Sequence, residues 1–171
     1  MIDFSEQLLG KSTTGQINIT TRQENAEAAL EMMRQTYQRI AIVSQELDPY
    51  VFDQLEFRDA LKNMVLNNRY AEVRIIVFNP EGIVRRGHKL LDLATHLSSF
   101  IHFKKVAREH RSFNEAVLIA DDCGYVFREN IERYRGKVNF NSRSESKSLL
   151  DVFNNMWEAA TPDPNLRRVM I

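Results

Sequence analysis

The sequence contains a single cysteine, Cys123, among its 171 residues. One cysteine cannot form a disulfide within the chain, and this usage is typical of proteins in a reducing compartment. The chain also has no run of 18 apolar residues, and Met1–Gly10 lacks the basic start and apolar centre of a signal peptide. We therefore expect a soluble, cytoplasmic protein that makes no use of a membrane.

Glycine is scarce, and its six positions, 10, 15, 82, 87, 124 and 136, are never clustered. Phosphate-binding loops of P-loop hydrolases and of dinucleotide-binding folds need closely spaced glycines, so both classes are disfavoured. The four histidines, at positions 88, 96, 102 and 110, have no second His or Cys at a metal-ligand spacing. We expect neither a cofactor nor a metal ion.

The sequence also has no excess of one sign of charge, because 23 Lys and Arg residues balance 23 Asp and Glu residues. The total therefore does not predict a protein coated with basic residues to hold nucleic acid or an anionic membrane. The balance is uneven along the chain, since residues 1–60 carry ten acidic against five basic residues. Residues 82–112 carry the opposite excess, with these seven basic residues against Asp92 and Glu109: Arg85, Arg86, Lys89, Lys104, Lys105, Arg108 and Arg111.

Hydrophobic periodicity predicts alternating helices and strands over one domain at 21–160. Residues 1–20 have few apolar anchors and are expected to form a loosely ordered leader, and residues 161–171 a C-terminal tail. The predicted helices cover 22–38, 49–67, 86–98 and 142–160, and the predicted strands 39–44, 73–78, 101–106, 116–120, 125–127 and 137–140. This order predicts the α/β class, with a mixed β-sheet flanked by helices on both faces.

The densest cationic stretch, Arg85-Arg86-Gly87-His88-Lys89, is predicted to open the third helix. Free N–H groups at a helix start favour an anion, and arginine adds bidentate donors. The alternative is a solvated helix start whose cations oppose the helix dipole. The second basic run, at 102–111, either follows a phosphate backbone or is a solvated edge, and it has few aromatic residues for base stacking.

Asp121-Asp122-Cys123-Gly124 separates two apolar runs and is predicted to be the turn of a hairpin. Cys123 is a weak candidate for a nucleophile, because the two carboxylates would raise the pKa of its thiol. The two aspartates have no identifiable partner for acid–base catalysis, and they are more typical of turn formation.

The element order over residues 22–160 resembles one half of a phospholipase D superfamily domain. Active members carry His-x-Lys with an Asp five residues after the Lys, and that histidine attacks phosphorus while the lysine holds phosphate oxygens. In register with this motif, Asn114 replaces the histidine, Ala116 replaces the lysine, and Asp121 is kept. The downstream Gly-Ser is also missing. The resemblance therefore implies a degenerate site without phosphodiesterase activity.

A closer resemblance covers nearly the whole chain. Arg85–His88, Leu118–Tyr125, Arg133–Gly136, and Phe153-x-x-x-Trp157 followed by Pro162–Arg168 are similar to an uncharacterised bacterial domain family. The resemblance implies that this chain is a phospholipase D-like half domain. It also implies that related domains occur either alone or fused to an acetyltransferase of the GNAT type. The acetyl-CoA loop of such an acetyltransferase has no counterpart in this sequence.

Three functional hypotheses follow. The first is a non-catalytic module that binds a phosphate-bearing small molecule or a nucleic-acid backbone. Its candidate anion-binding residues are Arg85, Arg86, His88, Lys89, Asn114, Asp121, Arg128 and Arg133. The second is a partner or regulatory subunit of an acetyltransferase or another enzyme, or a homodimer, because a phospholipase D-like half is expected to pair with a second half. The third is an enzyme of altered chemistry with His88 as base or nucleophile.

Overall fold

The computed structural model describes residues 2–167, which form a seven-stranded mixed sheet with helices packed against it. The strands are β1 (Ile17–Ile19), β2 (Arg39–Val43), β3 (Glu72–Val77), β4 (Ile101–Lys105), β5 (Ala116–Ala120), β6 (Gly124–Arg128) and β7 (Gly136–Asn139). The α-helices are α1 (Arg22–Gln35), α2 (Pro49–Phe52), α3 (Leu55–Asn67), α4 (Pro80–Arg86), α5 (Lys89–His96) and α6 (Arg143–Ala159).

The strand order in the sheet is β1-β7-β6-β5-β2-β3-β4. Strands β2, β3 and β4 are parallel to one another, whereas β5 runs antiparallel to β2 and to β6. The carboxyl ends of β2, β3, β4 and β6 therefore lie at the same end of the sheet as the amino end of β5. Open sheets of this type place ligands outside the carboxyl ends of their parallel strands.

Residues of β2 alternate between two apolar clusters, one on each face of the sheet. Ile40 and Ile42 pack with the side chains of α1, α3 and α5. Ala41 and Val43 face the other way and pack with Phe153 of α6. The alternation is the two-residue period of a strand buried on both faces. The predicted mixed α/β sheet with helices on both faces is confirmed.

The predicted third helix is two helices in the structure. Pro80 starts α4, where the Oδ1 atom of Asn79 accepts the N–H of Gly82 at 3.2 Å. Gly87 ends α4 with a φ of 80°, a left-handed conformation that glycine adopts without a Cβ penalty. Arg86 therefore lies in the last turn of α4 and does not open a helix. A proline at the first helical position suits a helix start as well as a turn.

Residues 2–20 are packed against the fold and do not form a loose leader. Ile17 pairs with Val138 as β1 extends the sheet, and Phe4 is buried. The Gln35 side chain holds this segment at two points, since its Oε1 accepts the N–H of Leu9 at 2.7 Å and its Nε2 donates to the carbonyl of Gln7 at 2.7 Å. The pairing of β1 and the bonds from Gln35 engage backbone groups of this segment, which apolar periodicity does not report.

The segment after α6 returns to the far edge of the sheet. Thr161 forms an isolated antiparallel bridge with Lys105, and Leu166 is buried. Residues 168–171 of the predicted C-terminal tail lie outside the described residues. Within the part of the chain that the structure describes, no helix has the length and apolar character needed to cross a bilayer.

The β5–β6 hairpin turns at Asp121 and Asp122, whose φ angles are 49° and 58°. The N–H of Cys123 donates to the carbonyl of Ala120 at 3.0 Å, which closes a β-turn whose two central residues, Asp121 and Asp122, are both left-handed. Cys123 is buried, and burial raises the pKa of its thiol. It is a turn residue, as the sequence predicts, and not an activated nucleophile.

Candidate ligand-binding cleft

A cleft of about 350 Å³ opens at the carboxyl end of β2. It lies between the loop that follows β2, the first residue of β5, and the segment that follows β6. The lining residues are Ser44, Gln45, Glu46, Asp48, Pro49, Ala116, Arg128, Ile131 and Tyr134. Three chain segments that are distant in sequence therefore meet at the end of the sheet where this fold class favours a ligand.

The loop after β2 is fixed by its own hydrogen bonds. The Oγ atom of Ser44 accepts the N–H of Asp48 at 3.1 Å, and the Oδ1 atom of Asp48 accepts the N–H of Tyr50 at 3.0 Å. Asp48 thereby caps α2, whose first residue is Pro49. The second carboxylate oxygen of Asp48, Oδ2, does not take part in this cap and pairs with Arg128.

Arg128, the last residue of β6, meets that carboxylate at the floor of the cleft. Its Nη1 lies 3.0 Å from Oδ2 of Asp48, and the two side chains are only 10% and 14% exposed. The guanidinium also donates through Nε to the carbonyl of Asn130 at 3.2 Å and through Nη2 to the carbonyl of Ile131. The positive charge of Arg128 is thus already neutralised and its donors are largely engaged.

Tyr134 completes the floor, because the guanidinium carbon of Arg128 lies 4.4 Å from the centre of its ring. Burial raises the pKa of Tyr134, and the nearby Asp48 carboxylate raises that pKa further. The phenol therefore stays neutral at physiological pH. Asp48, Arg128 and Tyr134 form one connected polar group with no net charge, which we call the floor cluster.

Three exposed arginines stand on segments that border the cleft. The Nη2 of Arg86 donates to the carbonyl of Glu46 at 2.8 Å, and Arg85 precedes it on the same short helix. On the other side, the backbone N–H of Arg133 donates to the carbonyl of Asn130 at 3.0 Å. Arg85, Arg86 and Arg133 are all solvent-exposed. We call these three residues the rim arginines.

Two positions of the degenerate motif also belong to this region. Ala116 lines the cleft with its methyl group. Asn114 is exposed, and its carbonyl accepts the N–H of the lining residue Ile131 at 3.1 Å, which places it at the mouth. Of the predicted anion-binding residues, Arg128 lines the cleft, Arg86, Asn114 and Arg133 lie on segments that border it, and Arg85 precedes Arg86 on α4.

Asp121 lies at the opposite end of the sheet, so the prediction that it shares a site with Asn114 is wrong. The five residues of β5 lie between the two positions and span roughly 17 Å at about 3.3 Å per residue. The Asp121 carboxylate accepts the backbone N–H groups of Tyr37 at 2.7 Å, Gln38 at 2.9 Å and Arg39 at 2.8 Å. These bonds tie the hairpin turn to the start of β2, which is a structural role.

His88 is also outside the cleft, because it is buried as the N-cap of α5. Its Nδ1 accepts the N–H of Leu90 at 3.1 Å, and its Nε2 lies 2.9 Å from the carbonyl of Leu47, to which a protonated Nε2 donates. Burial lowers the pKa of this imidazole, which favours the neutral form that fits both bonds. With both nitrogens engaged inside the protein, His88 is not placed to act as a base or a nucleophile.

Lys89 is likewise engaged away from the cleft. Its Nζ lies 3.6 Å from Oδ1 of Asp53, and its backbone N–H donates to the same oxygen at 2.9 Å. The start of α5 is therefore capped by His88 and Asp53 and does not receive an external anion. Arg86 sits in the last turn of α4, where a cation complements the helix dipole.

Sequence reasoning missed two residues of the floor cluster, Asp48 and Tyr134. Asp48-Pro49 is correctly predicted as a helix start, but a local pattern does not show that the second carboxylate oxygen meets Arg128, 80 residues away. Tyr134 belongs to an irregular segment that has no periodicity. A charged pair buried between two such distant segments leaves no signal in a single sequence.

Solved structures of other proteins share this architecture. An archaeal chromatin protein, TrmBL2, whose structure shows a novel mode of DNA binding, superposes with a TM-score of 0.64 at 15% identity. The match covers 88% of this chain and 55% of TrmBL2, so the chain spans about half of that protein. The phospholipase D family member Nuc from Salmonella typhimurium gives a TM-score of 0.56 at 15% identity, covering 77% of this chain and 86% of Nuc.

NucT from Helicobacter pylori gives a TM-score of 0.59 at 11% identity, covering 86% of this chain and 98% of NucT. At such low identities these similarities establish the fold alone, and that fold is phospholipase D-like. Residues 21–169 match the family described as a domain of unknown function, DUF7931, and the chain belongs to this family. No curated protein matches the sequence.

Proposed function

We propose that the protein is a non-catalytic phospholipase D-like module that binds a phosphate-bearing ligand at the cleft. The observation that carries the proposal is the placement of Ala116 in the cleft and of Asn114 at its mouth, with exposed arginines on the bordering segments. The position that resembles the lost motif and the surface suited to a phosphate therefore coincide.

The lining chemistry supports binding without phosphodiester cleavage. The described lining contains neither histidine nor lysine. The amide of Asn114 is a poor nucleophile, and the methyl group of Ala116 cannot hold a phosphate oxygen. Asn114 and Ala116 stand in register with the histidine and lysine of the active members, and the floor beside Ala116 is the neutral cluster of Asp48, Arg128 and Tyr134.

The rim arginines supply the attraction for an anion. Among the residues that line the cleft, Asp48 cancels the charge of Arg128 and Glu46 adds an exposed negative charge, so a phosphate gains no attraction there from net charge. Arg86 and Arg133 lie on different sides of the mouth, joined by hydrogen bonds to the neighbourhood of Glu46 and Ile131. Exposed guanidinium groups present bidentate donors that match phosphate oxygens. The DNA binding of TrmBL2, which shares the fold, is consistent with a nucleic-acid backbone as this ligand.

Fluorescence anisotropy with a labelled single-stranded DNA of about 12 nucleotides tests the proposal at NaCl concentrations of about 50 and 200 mM. Free nucleotides added as competitors distinguish a small phosphate ligand from a polymer. The double variant Arg86→Ala with Arg133→Ala should bind about tenfold more weakly and show a smaller salt dependence.

The matched control is Arg34→Ala with Arg69→Ala, because both arginines are exposed and lie away from the cleft. This control should bind like the wild type. Absence of binding at the lower salt concentration, or an equal loss in the control and rim variants, would contradict a phosphate site at the cleft.

An assay of bis(4-nitrophenyl) phosphate hydrolysis tests the non-catalytic part separately. We expect no turnover above that of the buffer, since the described cleft has no nucleophile paired with a phosphate-holding lysine. Turnover that follows the protein through purification and is lost in Asn114→Ala would overturn this part and leave the binding proposal standing.

A partner subunit remains the second candidate, and exposed apolar side chains at the other end of the sheet favour it. Tyr37 is 70% exposed, Tyr70 66% and Leu66 63%. The Asn68 side chain joins this group, since it donates to the carbonyl of Tyr37 at 3.2 Å and accepts the N–H of Tyr70 at 2.9 Å. Sedimentation of wild type and Tyr37→Ser with Tyr70→Ser tests self-association, and an acetyltransferase is the heterologous partner to test.

A further inference from the structure

Strand β4 forms one edge of the sheet, and its outward groups are engaged near its two ends, where the N–H of Ile101 donates to the carbonyl of Leu97 at 3.0 Å and Lys105 pairs with Thr161. The N–H of Lys105 donates to the carbonyl of Thr161 at 2.8 Å, and the N–H of Thr161 donates back at 3.0 Å. The next residue, Pro162, has no N–H and cannot continue a ladder. The chain then leaves the edge.

The hydrogen bonds at the two ends of β4 fix the direction of its backbone groups. Val73 donates to the carbonyl of Phe100 at 2.8 Å, and Val106 donates to the carbonyl of Val77 at 3.0 Å. Even-numbered residues of β4 therefore face β3, and odd-numbered residues face outward. Phe103 accordingly presents its N–H and its carbonyl to the outside, and neither has a hydrogen-bond partner among residues 2–167.

These unpaired groups lie at a cavity of about 460 Å³ that is distinct from the cleft. Its lining residues are Ala94, Thr95, Ser98, Ile101, His102, Phe103, Lys104, Trp157, Pro162 and Leu166. The lining is mixed apolar and polar, with Trp157 and Leu166 beside Thr95 and Ser98. An unpaired strand edge beside a cavity of this size has room for a short stretch of extended peptide with one side chain inserted.

The charge of the lining selects the kind of peptide. Its charged or titratable members are Lys104 and His102, and no carboxylate is among the described lining residues. Lys104 is held in place, because its Nζ donates to the carbonyl of Trp157 at 3.2 Å and lies 4.5 Å from the centre of the indole. His102 is exposed on the same face of β4. An acidic side chain complements both groups.

We propose that the outer edge of β4 binds an extended, acidic segment of a partner protein by β-strand addition. The partner main chain pairs with the N–H and carbonyl of Phe103, and an acidic side chain approaches Lys104 and His102. This site uses none of the cleft residues and is independent of the phosphate-binding proposal.

The probes are peptides of about five residues that alternate Glu with Val, Ile, Phe or Tyr, and matched peptides with Lys in place of Glu. Nuclear magnetic resonance with ¹⁵N-labelled protein follows the amide of Phe103. We expect the acidic peptides to shift this signal and slow its hydrogen exchange, and the basic peptides to leave it unchanged. Absence of binding by every acidic peptide at millimolar concentration would overturn the proposal.

N-methylated peptides separate strand addition from simple charge attraction. In one peptide the odd-numbered amides are methylated, and in a second peptide the even-numbered amides are methylated. Only one of the two peptides should still bind, because only one of these sets of N–H groups faces β4. Equal affinity of the two methylated peptides would contradict main-chain pairing.

His102→Glu tests the charge requirement without disturbing the fold, because this side chain is exposed. We expect about tenfold weaker binding of the acidic peptides. Lys62→Gln on α3 makes an equivalent charge change away from β4 and should leave binding unchanged. If both variants weaken binding equally, the effect is one of total charge and the proposed site is wrong.

Discussion

Arg128 and Asp48 form an ion pair of 3.0 Å between the last residue of β6 and the cap of α2. The pair joins two segments that are 80 residues apart in the sequence and closes the floor of the cleft. The pair lies at the end of the sheet where open α/β sheets place their ligands, and its two charges satisfy one another.

The coupling between these two residues is directly measurable. Removing one partner of a largely buried ion pair leaves an uncompensated charge, so Asp48→Asn and Arg128→Met should each lower the free energy of unfolding by about 3 kcal/mol. The double variant should lose much less than the sum. Urea denaturation of the four proteins measures this cycle, and additive losses would show that the pair is not coupled.

Asp121→Asn should destabilise the protein without affecting ligand binding. The substitution removes the charge from three backbone hydrogen bonds at the start of β2, which we expect to cost about 2 kcal/mol. Asp122→Asn is the control, because Asp122 forms only a partly exposed pair with Arg39 at 3.0 Å and should cost less than about 1 kcal/mol. Loss of DNA binding in Asp121→Asn at full stability would place Asp121 in the site after all.

His88 predicts a specific pH dependence of stability. Burial holds the pKa of native His88 below its ordinary value of 6.5, whereas the unfolded chain binds a proton near that value. The unfolded state therefore binds more protons below pH 6.5, and stability falls as the pH falls through this range. This group contributes a slope of at most about 1.4 kcal/mol per pH unit.

His88→Asn tests that origin, since asparagine also serves as an N-cap for α5. The variant should be less stable near pH 7.5 but should lose less stability than wild type on going to about pH 5.5. Urea denaturation at the two pH values measures the difference. An unchanged slope would assign the pH dependence to other groups.

Gly136 is predicted to be intolerant of a side chain. A Cβ atom there would lie 1.9 Å from the backbone carbonyl oxygen of Phe127, so β7 would have to move away from β6. Gly136→Ala should therefore lower the free energy of unfolding by more than about 2 kcal/mol. Gly124→Ala is the comparison, because its nearest contact is the flexible end of the Leu9 side chain, and it should cost less.

The sequence predicts the order of the principal elements because each is a local pattern. Thr21 and Glu24 form the predicted capping box, and β2 is buried on both faces as its β-branched run indicates. The split between α4 and α5 is not predicted, since Pro80 is compatible with a turn or a helix start. The decisive feature there is the left-handed conformation of Gly87, which a sequence pattern alone does not reveal.

The cleft is only partly predictable for a different reason. Alignment to a known motif groups Asn114, Ala116 and Asp121 and so predicts that all three share one site. The strand geometry of β5 places Asp121 at the far end of the sheet. The sequence wrongly predicts an anion-binding or catalytic role for His88. The side chain is buried beside Leu47 and serves as a helix cap, and a sequence pattern does not show that burial.

The most direct test of a phosphate site at the cleft is to map binding by ¹⁵N nuclear magnetic resonance while the DNA oligonucleotide is added at low salt. We predict amide shifts confined to the mouth of the cleft, at residues 45–46, 85–86, 114 and 131–134, and no shifts at the hairpin turn 121–122. Shifts centred on that turn or on Tyr37 and Tyr70, with none at the cleft, would contradict a phosphate site at the cleft.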